Sequence, residues 1–367
     1  MNKILACILL IIPLFLTALE PEADPNAWIR KVAKRELKPY RKKGISRKQI
    51  ERAWAKLKEK PEFKRYKIVR SEVYGPEGRM KNLLQMLVSK YPMPDVDFIH
   101  YQEDRIKKSI ADRDPEKYDA PIFVSAKDTS LAQFILFADW LYDPTVEDQG
   151  WNHILNRVNQ YQVDWSEKIE KLFWRGSAFD GQHFMMYDFK NWKTIPRGTL
   201  VHQSRKHPDL IDAAFSSYPD ACVEKDPARC LAEMGPTSFV PVEDQLVYKY
   251  HLIIDGVTCT FPATQWKLLS GSVSFKQDSP NIQYFFHELE PWVHYIPVSN
   301  DLSDLLDRIR WAKEHDRAAQ KIAENGRNFA LTHLMPEHIL AYCREVLVRY
   351  AALQKFQPTL DPSDIGF

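Results

Sequence analysis

Apolar positions spaced three or four apart give way, several times along this chain, to short continuous apolar runs. The two rhythms mark helices and buried strands in turn. Residues 25–70 are strongly charged with helical spacing. Within them Ser46 is placed to cap a helix through Ile50, Ala53, Trp54 and Leu57, with charges on the other face. A helix follows over Met80–Lys90. The alternation from Pro94 to Tyr101 predicts a strand that ends in Gln102-Glu103-Asp104, so carboxylates stand at its carboxyl end. Ala120–Ala126 is a second strand, Leu131–Leu141 a hydrophobic, aromatic segment, and Trp151–Trp165 another helical pattern. A boundary falls near residues 166–171.

The second half opens with the short strand Lys171–Trp174, and Leu210–Phe215 is another. The stretch from Tyr248 to Val298 carries the clearest rhythm. An apolar run, His251–Ile254, ends in Asp255-Gly256. A helical pattern (Gln265–Leu269), a second run (Ser272–Phe275) and a third (His294–Val298) follow. Strand, polar turn, helix, strand is a βαβ alternation, and in such units ligands sit at the carboxyl ends of the strands. That end is here Asp255-Gly256. Asp301–Lys313 is an amphipathic helix with Asn300 or Asp301 as its cap, and a last helix runs from about Glu337 to Leu353. No repeat of solenoid period interrupts this order.

Length turns these elements into two units, because 367 residues exceed what one core usually holds. The division expected is an N-terminal leader over 1–19, an α/β unit over 20–168, a second over 169–355 and a tail over 356–367. Residues 1–19 read as a secretory signal, with an uncleaved membrane anchor as the alternative. Export permits disulfides, and Cys222 and Cys230 flank a polar loop across which they could pair. The net charge of +2 gives no support to a nucleic-acid binder. The basic run from Arg35 to Arg47 would suit an anionic membrane surface, but its plainer reading is a solvated face. Ten Trp and sixteen Tyr read as a large core.

Four segments, WRGS at 174–177, YKYHLIIDG at 248–256, PWVHYIPVSNDLSDLL at 291–306 and WAKEHDRAAQKIAENGRNF at 311–329, together resemble one known group. It is the capsule-associated, Rumi-type glycosyltransferase family, which includes protein O-glucosyltransferases, capsule xylosyltransferases and lipopolysaccharide-modifying relatives. The resemblance covers about 171–334 and is weaker over 93–126. It implies a GT-B-like α/β fold, two facing Rossmann-like domains with a central cleft and C-terminal helices. It also implies transfer of glucose or xylose from a UDP-sugar to a protein or glycan acceptor, with inversion. No metal or other cofactor is implied; no DxD-like acid pair stands where a metal-dependent transferase would need one. The expected partners are the nucleotide-sugar donor and the acceptor, and no nucleic acid. A second reading is a member of the same fold that binds a nucleotide sugar or glycan without turnover. The setting expected is the secretory-pathway lumen or a bacterial envelope; the terminal Asp364-Ile365-Gly366-Phe367 lacks the KDEL-like ending of many animal relatives.

The resemblance places the catalytic base at Asp104, with adjacent Glu103 as the alternative, because a hydroxyl is a poor nucleophile until its proton is taken. On the donor side it points to Ser177, to Arg197 ahead of Ser204–Pro208, and to the turn Gly256, Val257, Thr258 and Thr260. Arg175 either faces the donor or forms a structural ion pair. After Gly256 the chain departs from its apparent relatives, lacking the Arg that opens the next helix. Lys267 is the substitute charge and Lys276 a further phosphate contact, or else a surface lysine at a strand end. His294 reads as a core histidine, and Glu288 and Glu290 as weaker candidates for ribose hydroxyls.

Overall fold

The computed structural model describes residues 24, 26–104, 120–139, 150–178, 192–218 and 226–361. The apolar leader, Cys222 and the last residues lie outside them. Among the described residues no helix is long and apolar enough to cross a membrane.

Helices α1 (Ala27–Glu36) and α2 (Arg47–Leu57) come first. The Ser46 hydroxyl caps α2 as expected, accepting from the Gln49 N–H at 3.2 Å. The charged stretch is not helical to its end. Strand β1 (Phe63–Val69) pairs antiparallel with β2 (Glu72–Tyr74). Charges hid β1 in the sequence because they are buried and neutralised. Arg65 bonds Asp97 through Nε at 2.8 Å and Nη2 at 2.7 Å, and Lys67 bonds the Thr359 carbonyl at 3.0 Å. After α3 (Arg79–Lys90), β3 (Val96–Tyr101), β4 (Ile122–Val124) and β6 (Phe134–Leu136) complete a sheet of order β2-β1-β3-β4-β6, parallel from β3 onward. The short β5 (Lys127–Asp128) leaves this sheet.

The second unit begins after helix α4 (Trp151–Tyr161) with β7 (Ile169–Ser177), α5 (Pro196–Lys206) and β8 (Ile211–Ser217). Helices α6 (Pro227–Met234) and α7 (Val242–Gln245) lead to β9 (Tyr248–Ile253), α8 (Ala263–Leu269), β10 (Val273–Gln277), β11 (Asn281–Ile282) and β12 (Ile296–Val298). Five of these strands form an all-parallel sheet of order β12-β10-β9-β7-β8. Helices cover its faces, so β9 and β10 are buried almost throughout, polar side chains included. The strand order reverses between β7 and β9, and ligands bind outside the carboxyl ends at such a point.

Helices α9 (Leu305–Glu314), α10 (Asp316–His333) and α11 (Pro336–Leu353) end the fold. α9 starts later than the spacing predicts. Asp301 accepts from the Ser303 N–H at 3.0 Å and Leu302 takes a φ of +61°, which closes a turn where helix was expected. α11 falls in the expected second unit but packs into the core of the first. Tyr342 stacks on Tyr284 at 4.2 Å and donates to the Leu136 carbonyl at 2.8 Å, and Tyr350 donates to that of Asp97 at 2.8 Å. A two-stranded ribbon, β5 with β11, joins the units again, and Trp151 Nε1 bonds the Leu334 carbonyl at 2.7 Å. Cys230 is disulfide-bonded, while Cys259 and Cys343 keep free thiols.

Candidate active site

A cleft of about 690 Å³ lies between the two units, at the carboxyl ends of β7 and β9. Its volume suits a ligand of nucleotide-sugar size. Arg197 organises the floor. It sits in the first turn of α5, and because α5 runs back along the sheet its positive end faces the same side as the strand ends. Its side chain is 8% exposed. Nε donates to the Asp255 carbonyl at 2.8 Å; Nη1 donates to the Ser177 carbonyl at 2.9 Å and to the Ser177 Oγ at 3.2 Å. One guanidinium thus spans the ends of both strands at the reversal point.

Asp255 is held from every side. Its N–H donates to Gln277 Oε1 at 2.9 Å, and its carboxylate accepts from Asn281 Nδ2 at 2.7 Å. Asn281 belongs to the ribbon with β5, so this turn is coupled to the junction between the units. The Gly256 N–H closes the turn on the Thr258 carbonyl at 2.8 Å. A methyl group on Gly256 would come within 2.6 Å of Arg197 Nη2, so the glycine is what lets the guanidinium approach. Gly256, Val257, Cys259, Thr260, Phe261 and Pro262 then form one wall.

The opposite wall belongs to the first unit. Asp104, three residues beyond β3, lines it together with Asp139, and α4 adds His153 and Arg157. The Asp104 carboxyl is open to solvent, but the surrounding protein partly dehydrates it and raises its pKa above the usual carboxylate value. Glu103 is exposed and outside the lining. Arg157 pairs with Glu243 at the rim, where Phe239 is 80% exposed.

The cleft therefore gathers Asp104, Ser177, Arg197, Gly256, Val257 and Thr260. The remaining candidates go elsewhere, each for a visible reason. Arg175 forms the structural ion pair, with Asp212 at 2.7 Å, over the Phe173 ring. Thr258 is buried behind the wall. Lys276 bonds the Gln277 carbonyl at 3.3 Å and lies over Phe286, and burial lowers its pKa. Lys267 does not replace the missing Arg. It is 3% exposed, with Nζ buried against the Leu252 carbonyl at 2.7 Å. His294 accepts from the Glu290 N–H at 2.9 Å and packs on Phe329, and Glu288 pairs with Lys31 at 2.9 Å.

Four wall residues were missed from sequence, and three had signals. Asp139 follows an apolar run, and so stands at a strand's carboxyl end as Asp104 does. His153 and Arg157 stand four apart on one helix face. Cys259 had none; burial pushes its thiol pKa well up, so it is a neutral wall.

Lys267 carries a testable consequence. Burial, then the charge of Arg197, lower its pKa from 10.5 to about 7. Between those values the unfolded chain holds a proton that the folded one does not, so stability rises with pH across that window. Lys267→Met is expected to be more stable than the parent by at least about 1 kcal/mol near neutral pH. The difference should fade toward pH 10.5. Urea unfolding across this range checks it; a constant difference would place a charged lysine in the core.

Three comparisons with known proteins bear on this geometry. The model of glycosyl transferase family 90 matches residues 25–364. Protein O-glucosyltransferase 2 of Danio rerio is 31% identical over 283 residues, 76% of this chain and 52% of that protein. Protein O-glucosyltransferase 3 of Homo sapiens is 33% identical over 207 residues, 56% of this chain and 37% of that one. O-glucosyltransferase rumi of Drosophila pseudoobscura pseudoobscura is 26% identical over 350 residues, 91% of this chain and 78% of that protein. The chain thus spans about half or less of the first two. Among solved structures, HepE from Anabaena in complex with UDP and glucose matches with a TM-score of 0.43 and 10% identity, over 73% of this chain and 74% of that one.

Proposed function

The chain belongs to glycosyl transferase family 90, and from that premise we propose that it moves a sugar from a UDP-sugar to a hydroxyl of a protein or glycan acceptor. The relatives named as O-glucosyltransferases favour glucose as that sugar, with xylose the next choice. One observation carries the reading. A carboxylate with a raised pKa, Asp104, faces a wall built by Arg197 at the reversal point of a parallel sheet.

The chemistry follows from the two walls. Asp104 takes the proton of the acceptor hydroxyl as its oxygen bonds to the anomeric carbon. The bond from that carbon to the diphosphate oxygen breaks on the far side, and UDP leaves with the electron pair. Attack opposite the leaving group inverts the centre. The growing diphosphate charge falls to Arg197 and to the positive end of α5. We assign no metal to this step, so a chelator should leave the rate unchanged.

Incubating the full chain with UDP-glucose, UDP-xylose and a panel of hydroxyl acceptors, and measuring released UDP, tests the proposal. A donor at ~100 times its dissociation constant should add about 2.7 kcal/mol of stability, visible as a thermal shift. No shift with any UDP-sugar would end the donor assignment. A second reading, binding without transfer, draws on the seclusion of Lys267, which leaves the turn after Gly256 without its expected cation. A thermal shift with no UDP release across the panel would favour it. The apolar run at residues 4–19 supports export to the secretory-pathway lumen or a bacterial envelope. Protease protection of the chain in sealed vesicles tests that, since digestion from outside would contradict it.

A further inference from the structure

A second hollow, of about 910 Å³, lies on the first unit, away from the cleft. Lys38, Arg41, Lys42, Lys43, Lys48 and Arg52 line it, and no carboxylate does. That is a local charge three times the net +2 of the whole chain. All six side chains are exposed. Lys38, Arg41, Lys42, Lys43 and Lys48 have no carboxylate within ion-pair distance among the described residues.

The backbone beneath these charges is fixed. Tyr40 donates to the Gln133 carbonyl at 2.6 Å. The Ile45 N–H donates to the Leu353 carbonyl, and the Lys355 N–H to that of Ile45, both at 2.8 Å, which clamps the loop to the end of α11. Gly44 makes the turn at a φ of +68°, where a side chain would be strained and would meet Lys355. A fixed backbone therefore keeps like charges on one patch, and a bound anion would relieve their mutual repulsion. The single ring in the lining, Tyr40, is buried and committed to Gln133, so nothing offers a base a stacking surface.

The neighbouring sequence says which anion. Lys38 lies just past α1, and residues 20–26 separate α1 from the apolar run. That stretch spans at most ~25 Å extended, and α1 adds ~15 Å. A bilayer holding the apolar run would have its headgroups within reach of the hollow. We propose that this basic hollow docks the chain on the phosphates of anionic lipid headgroups, adding an electrostatic contact to the apolar one.

Co-sedimentation of the full chain with phosphatidylcholine vesicles, with and without phosphatidylglycerol, tests it. The apolar run contributes to both, so the difference between them reads the charge term. Binding should be tighter on the anionic vesicles. The preference should collapse as salt rises from about 0.1 M to about 1 M, where the screening length falls from ~10 Å to ~3 Å. Each neutralised lysine should weaken anionic binding roughly fivefold. The triple variant Lys42→Gln, Lys43→Gln, Lys48→Gln should therefore lose on the order of 100-fold, while binding neutral vesicles unchanged. A control triple at other exposed lysines, Lys90→Gln, Lys206→Gln, Lys321→Gln, should stay within about twofold. Equal affinity of the parent for both vesicles would overturn the proposal, as would equal losses in the two triples. Inorganic pyrophosphate binding that depends on the three lysines, without vesicle preference, would assign the hollow to a soluble phosphate and overturn it as well.

Discussion

Asp104→Asn is expected to lower the transfer rate by roughly 10²–10⁴-fold, the usual contribution of a general base, while UDP affinity stays as in the parent. The asparagine keeps the shape of the side chain and removes its capacity to take a proton. Donor affinity should hold because the wall around Arg197 belongs to the other unit. Two further variants separate the assignment from its neighbours. Glu103→Gln should retain the parent rate, since Glu103 is exposed outside the cleft lining. Asp139→Asn is the sharper comparison, because Asp139 is buried in the same wall. Were Asp139→Asn inactive and Asp104→Asn active, the base would be Asp139.

The pH profile gives a readout that a structural role would not move. Partial dehydration raises the pKa of Asp104, so its protonated, inactive form persists to higher pH than for an ordinary carboxylate. Activity should fall as pH drops through that raised value. The limb should be present in Glu103→Gln and absent from the residual activity of Asp104→Asn. A parent rate flat through the acid range would remove Asp104 from the step.

The carboxyl ends of the strands before Asp104 and Gly256 were legible from the alternation over Pro94–Tyr101 and the apolar run over His251–Ile254. The choice of Asp104 among the acids there came from the family resemblance. Orientation was not legible. Lys267 and Lys276 lie on the elements the rhythm predicts, but periodicity does not say which side of α8 or β10 meets the cleft. Both amines turn to backbone carbonyls inside the core. The same gap explains Arg175, which could be read as facing a donor until Asp212, on the adjacent strand, was seen to hold it. β1 was lost because buried charges look like surface charges until their partners are known, and the partners of Arg65 and Lys67 are distant in sequence. The return of α11 to the first core is a property of the assembled chain, set by contacts such as that of Tyr350 with Asp97, 253 residues apart.

Arg197→Ala is expected to weaken UDP binding by about 10–100-fold, the range for losing a hydrogen bond to a charged group, and to destabilise the fold by about 1–3 kcal/mol. Both effects come from one side chain with two duties. Towards the protein it donates to the Ser177 and Asp255 carbonyls and so pins the ends of β7 and β9. Towards the cleft it is the cation the floor presents to a diphosphate. Arg197→Lys should recover little of either, because a single amine cannot reach two strand ends in the fixed geometry of a planar fork. Gly256→Ala perturbs the same side chain from outside. Its methyl group would stand 2.6 Å from Nη2 and 3.1 Å from Cζ, so it displaces the guanidinium without deleting it. That variant should bind UDP more weakly and lose part of the same stability, because a displaced guanidinium gives up its bonds to the Ser177 and Asp255 carbonyls. Titration calorimetry with UDP, alongside urea unfolding, reads the two effects independently. If Arg197→Ala lost stability yet bound UDP with parental affinity, Arg197 would be a strand clamp alone, and the diphosphate would have to sit elsewhere in the cleft.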